Sequence, residues 1–282
     1  MPLSSMIPLL KAGQRSGYAI GQFNFHSTDG LLAIIRAAEN RNSPVILGPL
    51  FLPPRPIMAM IRELALDSRV AIAVTLDHGQ TFEQCLECIH AGYTDVMLDT
   101  SALPFDENVR ESRRVVDAAR AVGVGVEGEI GHVGMGDDYE NFSAVTANFT
   151  QPQEAARYVE QTGVDAVAVA IGTAHGHYKG KPKLDFQRLA EIRKATDAPL
   201  VLHGGSGVSD DDFRQAIRLG ICKVNIYTHL ADAALEAVRA QLADRDLKHF
   251  FQLQYVSAQA IQQVVEHYMD VFGSVGKATD NV

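Results

Sequence analysis

Short apolar runs recur along the chain at fairly regular intervals, and most of them are separated by segments with helical spacing. Continuous runs such as AIAVTL and AVAVAI are typical of parallel strands that are buried on both faces. Segments such as LLAIIRAAEN and PQEAARYVEQT place apolar residues three or four positions apart, which predicts helices. Eight strands are predicted, at Ala19–Phe23, Pro44–Leu47, Ala71–Leu76, Asp95–Leu98, Gly123–Val126, Ala166–Ala170, Leu200–Leu202 and Lys223–Ile226.

The alternation of strand and helix patterns predicts an α/β fold with a parallel sheet. Eight strands without a dinucleotide-binding glycine fingerprint favour a closed (β/α)8 TIM barrel over an open sheet. The length of 282 residues fits one barrel domain, 1–282. Two segments lie outside the alternation of strands and helices. The first is a polar stretch at about 131–150, which is predicted to be a mobile active-site loop. The second is a C-terminal extension at about 243–282, which is predicted to form extra helices.

Composition and charge exclude several classes of function. The formal net charge is −9 and no Lys/Arg-rich run occurs, so a nucleic-acid partner is not expected. No apolar stretch is long enough to span a membrane, and the N-terminus lacks the pattern of a secretory signal. Three cysteines cannot all pair, which favours the cytoplasm. Cys85 and Cys88 form a C-x-x-C within a predicted helix, and without a second pair we interpret them as packing residues rather than a redox or zinc site.

Histidines follow three of the predicted strands, where the working residues of α/β barrels lie. His78 follows strand three, His175 follows strand six and His203 ends strand seven. Three imidazoles with one open position form the ligand set of a catalytic zinc ion, so the sequence predicts a zinc site at this end of the barrel. His177 forms an H-x-H with His175, but alternation places only one of the two near the metal.

Carboxylates accompany these histidines. Asp77 directly precedes His78 and is predicted to transfer a proton to and from the substrate, the alternative being that it only orients a histidine. Asp99 and Glu129 follow strands four and five. They are candidates for holding a second divalent ion or a monovalent cation, or for hydrogen bonding to the metal-binding histidines.

A phosphate site is predicted at the loops after strands seven and eight, where barrels often bind phosphate. Gly204, Gly205 and Ser206 form a glycine-rich turn that precedes a capped helix start. Glycines allow backbone N–H groups to approach an anion, and the amino end of a helix favours negative charge. Asn225 and Thr228 form the turn after strand eight, which opens the next helix.

Seven motifs occur in order along the chain: FN, LDH, MLDTS, VEGEIGHVG, AIGTAHG, LHGGSG and KVNIYT. Together they resemble the class II, zinc-dependent ketose-bisphosphate aldolases, most closely the tagatose-bisphosphate and fructose-bisphosphate branches. The resemblance covers Met1 to about Leu242 in order and spacing, and the last forty residues match poorly.

The resemblance implies a zinc ion on the three histidines, Asp77 as proton donor and acceptor, and a loop acid at Asp137 or Asp138. It implies reversible cleavage of a ketose 1-phosphate or 1,6-bisphosphate into dihydroxyacetone phosphate and an aldehyde, by a homodimer or homotetramer. The implied substrate-binding residues are Asn24, Gly176, Gly204, Gly205, Ser206, Asn225, Ile226, Tyr227 and Thr228.

The sequence departs from the family pattern mainly at the aldehyde end of the substrate. Gly79 replaces the second histidine that usually follows LDH, and the loop reads GMGDD where the family carries a glutamate. Tyr227 stands where the tagatose branch has alanine and the fructose branch aspartate. Lys248 is the candidate substitute for the family's C-terminal arginine. The phosphate end therefore matches the family, whereas the aldehyde end matches neither branch.

Other functions of an α/β barrel need residues in other positions. A Schiff-base aldolase needs a lysine at the carboxyl rim, but Lys223 is predicted at the amino-terminal start of strand eight. A zinc amidohydrolase needs an H-x-H in strand one, where only His26 occurs. An aldolase for a differently substituted or singly phosphorylated sugar stays open, as does a non-catalytic zinc-binding barrel that serves as a regulatory partner.

Overall fold

Eight parallel strands form the centre of the computed structural model, which describes residues 3–136, 146, 148–243 and 247–278. Each strand pairs with the next and β8 pairs with β1, so the sheet closes into a barrel. This confirms the predicted (β/α)8 fold. The strands are β1 Ile20–Phe25, β2 Val45–Pro49, β3 Ile72–Gly79, β4 Asp95–Leu98, β5 Gly125–Ile130, β6 Ala166–Val169, β7 Leu200–Leu202 and β8 Ile221–Ile226.

Helices surround the barrel, and within the described ranges none is long and apolar enough to cross a membrane. Helices α2 to α9 follow strands β1 to β8 in turn, α1 precedes the barrel, and α10 is the predicted C-terminal addition. Their bounds are α1 Met6–Ser16, α2 Thr28–Arg41, α3 Pro54–Asp67, α4 Phe82–Ala91, α5 Phe105–Arg120, α6 Pro152–Thr162, α7 Phe186–Ala195, α8 Asp210–Arg218, α9 Thr228–Leu242 and α10 Phe251–Phe272.

Helix α1 was not predicted from the sequence, and it fills one end of the barrel. Its buried residues Met6 and Leu10 pack with Ile20 and Ile46, which lie at the starts of β1 and β2. Ser5 caps the helix, because its side chain accepts a hydrogen bond from the backbone of Ile7. The amino-terminal half of the barrel interior is therefore an apolar layer sealed by α1, separate from the larger core between the strands and the outer helices.

Polar side chains occupy the other half of the barrel interior, and there the predicted strand bounds were too short. Strand β3 continues past Leu76 to Gly79, and β5 continues to Ile130, so Glu127 and Glu129 lie within the strand. Strand β8 begins at Ile221, so Lys223 lies in mid-strand, fully buried, and its predicted position at the strand start was wrong. An apolar run ends at the first polar residue, whereas the hydrogen bonds between neighbouring strands continue past that residue.

Candidate active site

An irregularity in β3 brings two neighbouring residues into one cavity. In a regular strand, successive side chains point to opposite faces. Here the register between β3 and β4 shifts between Leu76 and Gly79, and His78 has a left-handed backbone with φ of 48°. Both Asp77 and His78 consequently line the same cavity. A non-glycine residue in this conformation is strained, which is common where a site fixes the backbone.

The structure brings the three predicted histidines together. The ring centroid of His78 lies 4.8 Å from that of His175 and 4.6 Å from that of His203, although the three residues come from three different strand ends. One ring nitrogen from each histidine lies within 4.8 Å of the others. His177, two residues beyond His175, instead contacts Asp232, with 2.9 Å between Nε2 and Oδ2. One histidine of the H-x-H therefore joins the group, as alternation predicted.

A carboxylate lies within hydrogen-bonding distance of one nitrogen in two of these rings, and the other nitrogen of each ring makes no hydrogen bond within the described residues. His78 Nδ1 lies 2.7 Å from Asp99 Oδ2, and His203 Nε2 lies 2.7 Å from Glu127 Oε1. A carboxylate accepts hydrogen bonds, so it favours the N–H on the nitrogen that faces it. The remaining nitrogens, His78 Nε2 and His203 Nδ1, are buried without a hydrogen bond. Because metal binding displaces protons from imidazole, buried nitrogens without a hydrogen bond are suited to be the ligand atoms of a metal ion.

The electrostatics of the group also suit a cation. Burial, together with repulsion from His78 and His203, lowers the pKa of His175 to about 4, so its imidazole is neutral and free to bind a metal. Glu129 Oε2 lies 3.2 Å from His203 Nδ1, is buried, and has no hydrogen bond. His78, Asp99 and Glu129 form a second group with ligand atoms within 4.8 Å of one another, as the sequence suggested for a second ion.

Asp77 is held by two amides. Asn24 Nδ2 donates to Oδ2 at 2.9 Å, and Asn225 Nδ2 donates to Oδ1 at 2.9 Å. Burial acts to raise the pKa of Asp77, but the charges of His78, His203 and Lys223 and the Asn24 amide outweigh it and hold the pKa below its usual range. Asp77 is therefore a fixed carboxylate at neutral pH that can accept a proton.

A cavity of about 320 Å³ opens beside these groups. Most residues that were predicted to bind metal or substrate or to transfer a proton line this cavity. Leu50 and Met135 also line it, although neither was predicted to do so. His203 lies beneath it and is fully buried, whereas Ile226 packs in the outer core rather than in the cavity. Asp137 and Asp138 fall outside the described residues. The lining residues are Asn24, Leu50, Asp77, His78, Met135, His175, Gly176, Gly204, Gly205, Ser206, Asn225, Tyr227 and Thr228.

The predicted phosphate site forms one wall of this cavity. Gly204 has a left-handed backbone with φ of 65°, and a Cβ there would clash with the carbonyl oxygen of Ala174. Only glycine fits this close approach of two loops. Ser206 lies beside the start of α9, and its hydroxyl accepts a hydrogen bond from the backbone of His229 at 3.2 Å. Thr228, the first residue of α9, lines the same wall, so the positive end of the helix faces the cavity.

Sequence reasoning missed three residues that support the site. The hydroxyl of Tyr178 accepts from the backbone of Ala174 and donates to the carbonyl of Gly204, each at 2.7 Å. Glu127 directly follows the predicted strand Gly123–Val126 and was given no role, and Lys223 was placed at the wrong end of β8. In the structure, Lys223 Nζ lies 2.8 Å from Glu127 Oε2. The YK that follows HGH could have directed attention to Tyr178, but nothing local reveals a pair 96 positions apart.

Comparison with known proteins assigns this chain to a family. The sequence matches the family described as fructose-bisphosphate aldolase class-II over residues 4–277. The chain belongs to the class II fructose-bisphosphate aldolases. A relative from Thermus caldophilus, named fructose-bisphosphate aldolase, is 40% identical to this class II aldolase, covering 96% of this chain and 98% of its own. A relative from Bacillus subtilis, named "Probable fructose-bisphosphate aldolase", is 40% identical over 99% of this chain and 100% of its own length.

Solved structures place this class II aldolase in the same family. The crystal structure of the YdjI aldolase from Escherichia coli K12 superimposes with a TM-score of 0.88 at 33% identity, covering 98% of this chain and 99% of that chain. A structure described as a putative fructose-1,6-biphosphate aldolase from Coccidioides immitis gives a TM-score of 0.86 at 28% identity, covering 96% and 97% of the two chains. The class II aldolase is thus a lyase of carbohydrate metabolism, and its family takes phosphorylated sugars. This confirms the enzyme class that the motifs predicted.

Proposed function

We propose that this class II aldolase reversibly cleaves a ketose 1-phosphate or 1,6-bisphosphate of the fructose or tagatose type into dihydroxyacetone phosphate and an aldehyde. The observation that carries the proposal is a group of three histidines, two of which line the cavity, beside a fixed carboxylate at Asp77 and a glycine-rich wall at Gly204 to Ser206. Each part matches one need of the reaction: charge stabilisation, proton transfer and phosphate binding.

The histidines support zinc as the metal. His78, His175 and His203 would hold the ion, since three imidazoles with an open position are a catalytic zinc ligand set. When bound, zinc polarises the substrate carbonyl and stabilises the negative charge that develops as the carbon–carbon bond breaks. Asp99 and Glu129 would orient the ligands, or hold a second divalent ion or a monovalent cation.

The protein's own groups move the protons. In the cleavage direction Asp77 takes the proton of the C4 hydroxyl, the C3–C4 bond breaks, and the aldehyde leaves with the new carbonyl at C4. The amides of Asn24 and Asn225 hold the carboxylate so that its oxygens stay in place. C3 of the remaining fragment then takes a proton from the loop acid, for which Asp137 and Asp138 are the proposed candidates. Condensation reverses these steps.

The cavity wall at β7 and β8 is proposed to hold the phosphate of dihydroxyacetone phosphate. Gly176, Gly204, Gly205 and Ser206 offer backbone and hydroxyl groups, and Thr228 brings the amino end of α9. Asn225, Ile226 and Tyr227 complete the run that the family resemblance assigned to substrate. We also propose that residues 1–282 act as one domain, in the cytoplasm, as a homodimer or homotetramer of the kind that the family suggests.

A second candidate concerns the aldehyde product. Leu50 and Met135 add apolar surface to the cavity, and Tyr227 adds a large side chain. These residues favour an aldehyde that is substituted differently from glyceraldehyde 3-phosphate, including one without a phosphate. The reaction and its catalytic groups would be the same.

Product identification tests the proposal. The zinc-loaded protein is incubated with fructose 1,6-bisphosphate, tagatose 1,6-bisphosphate and fructose 1-phosphate, and separately with dihydroxyacetone phosphate and a panel of aldehydes. We expect dihydroxyacetone phosphate from at least one ketose, condensation with at least one aldehyde, and loss of both with a chelator. An absence of cleavage, of condensation and of proton exchange into dihydroxyacetone phosphate would refute the proposal.

A further inference from the structure

A lysine lies in the interior of the barrel beneath the cavity. Lys223 is fully buried, and its Nζ lies 2.8 Å from Glu127 Oε2 and 2.7 Å from Asn225 Oδ1. Taking an ammonium group out of water is strongly unfavourable unless partners of good geometry compensate it. The residue is not part of the cavity lining, so it does not meet the substrate directly. Its two partners each lead to a different part of the active site.

The first branch leads to the metal-binding group. Glu127 Oε2 faces Lys223, and its other oxygen, Oε1, lies 2.7 Å from His203 Nε2. The ammonium keeps Glu127 a carboxylate with Oε1 as an acceptor, which places the hydrogen of His203 on Nε2. The lone pair then lies on Nδ1, which has no hydrogen bond and lies 3.2 Å from Glu129 Oε2, so two acceptor atoms face each other where a cation could bind both.

The second branch leads to Asp77. An ammonium group has only donors, so the carbonyl oxygen of the Asn225 amide must face Lys223. The NH2 group of Asn225 then points the other way and donates to Asp77 Oδ1 at 2.9 Å. With the amide flipped, its oxygen would face the carboxylate of Asp77 and repel it.

We propose that Lys223 is a positioning residue that sets the direction of the hydrogen bonds in both branches. Through Glu127 it presents Nδ1 of His203 to the metal, and through Asn225 it holds Asp77 for proton transfer. The inference rests on the roles given to His203 and Asp77 under the proposed function. It gives a role to a lysine that a Schiff-base mechanism would not use, because its amine is already bonded to Glu127 and Asn225.

Two variants separate the branches. Lys223→Met leaves Glu127 buried without its counter-charge, whereas Lys223→Met with Glu127→Gln removes both charges and keeps an oxygen that accepts from His203 Nε2. We expect zinc binding to the apo protein, measured by calorimetry, to weaken about tenfold in Lys223→Met, as is typical when a metal ligand loses its supporting partner. In the double variant it should return to within about threefold of wild type, because the ligand branch is restored.

The Asp77 branch stays broken in the double variant, and kinetics reports it. We expect kcat for cleavage to fall about 100-fold with KM changed less than about threefold, since positioned proton transfer contributes about 10²–10⁴-fold. Proton exchange into dihydroxyacetone phosphate does not use Asp77 and should persist. Adding Asp77→Asn to the double variant should lower kcat no further than Asp77→Asn alone, because both changes disable the same group.

Several results would overturn the inference. If the double variant kept the kcat of wild type, Lys223 would serve only to balance the charge of Glu127 and would not position Asp77. Additive losses with Asp77→Asn, or equal loss of cleavage and proton exchange, would indicate general damage to the site. Unchanged zinc affinity in Lys223→Met, with its fold verified by circular dichroism, would exclude the His203 branch. Wild-type protein that binds zinc but performs neither reaction would instead refute the proposed function, and the zinc titrations would still test that branch.

Discussion

Asp77 is the residue on which the proposed chemistry depends most directly. Both of its oxygens accept from amides, so an asparagine side chain at this position would fit the same space but could not take a proton. For Asp77→Asn we expect kcat to fall about 10²–10⁴-fold, the usual contribution of a positioned acid–base group, while zinc affinity stays within about threefold. Steady-state kinetics and calorimetric zinc titration measure the two quantities.

The matched control for Asp77→Asn is Asp197→Asn, since the Asp197 side chain is fully exposed, lies 3.8 Å from Arg193 and is not among the residues that line the cavity. It should keep wild-type zinc affinity and kcat within about twofold, as is usual for surface changes. If Asp77→Asn retained wild-type turnover, the proton would have to go elsewhere, and the assignment of Asp77 would be wrong.

The three cysteines also allow a test at the scale of single residues. Cys85, Cys88 and Cys222 are all buried, and burial is the main cause that raises the pKa of each thiol to about 12. The thiolate is the reactive form, so at pH 8 a thiol reagent should label none of the three in the folded protein and all three in urea. Mass spectrometry counts the labels. Rapid labelling of Cys85 or Cys88 in the folded protein would contradict the interpretation of the C-x-x-C as helix packing.

At the scale of elements, apolar patterning located all eight strands but not the places where they deviate. The strand β3 was predicted to end at Leu76, because the polar pair Asp77 and His78 interrupts the apolar run. The structure extends the strand through an irregularity that turns both side chains into the cavity. Alternation along a strand cannot predict this, since it assigns neighbouring residues to opposite faces. The site residues were found from their position near a strand end, whereas the geometry that unites them was not.

The loops after β6 and β7 carry His175 and His203, and Tyr178 ties them together. Its hydroxyl bonds Ala174, beside one histidine, and Gly204, beside the other. Tyr178→Phe removes both bonds with little change in shape, so we expect zinc affinity to fall about tenfold, as for other supporting partners of metal ligands. Calorimetric titration of the apo protein measures it.

Tyr255→Phe is the control for this loop variant, because Tyr255 is exposed on α10 and its hydroxyl accepts a hydrogen bond from Gln259 one turn further along the same helix. It should bind zinc as wild type does. Equal zinc affinity in Tyr178→Phe and wild type would show that the two loops hold their histidines in place without the tyrosine hydroxyl.

At the scale of the whole molecule, the closed barrel and the gathering of the three histidines could be predicted because both follow from local patterns and from the general rule that strand ends share one rim. Two other features could not be predicted in this way. Helix α1 packs against the amino-terminal end of the barrel. The sequence pattern of α1 does not indicate which other element it packs against. The pairs of Lys223 with Glu127 and of Asn225 with Asp77 join residues 96 and 148 positions apart. Such pairs depend on barrel register, which side-chain alternation alone does not fix.

The docking of α1 on the barrel places a carboxylate at its starting turn. Asp95 on β4 is fully buried and accepts hydrogen bonds from Ser5 Oγ at 2.7 Å, from the backbone of Met6 at 2.8 Å and from Thr94 Oγ1 at 2.7 Å. These bonds and the positive end of the helix favour the charged form, but burial outweighs them and raises the pKa from 3.8 to about 6. Compared with the unfolded chain, the folded protein therefore favours the protonated form of Asp95.

This preference makes the stability contributed by Asp95 depend on pH. Since its folded pKa lies above its unfolded value, the contribution is fully present below about pH 4 and is lost as pH rises through about 6. Asp95→Asn does not titrate, so the unfolding free energy of wild type relative to the variant should fall by about 2 kcal/mol from pH 4.5 to pH 8, at about 1.4 kcal/mol per pH unit up to the folded pKa. Urea unfolding at both pH values measures this difference, and other titrating groups cancel in the comparison. A difference that stayed constant or rose with pH would show that the bonds from Ser5, Met6 and Thr94 dominate and that Asp95 is charged beneath α1.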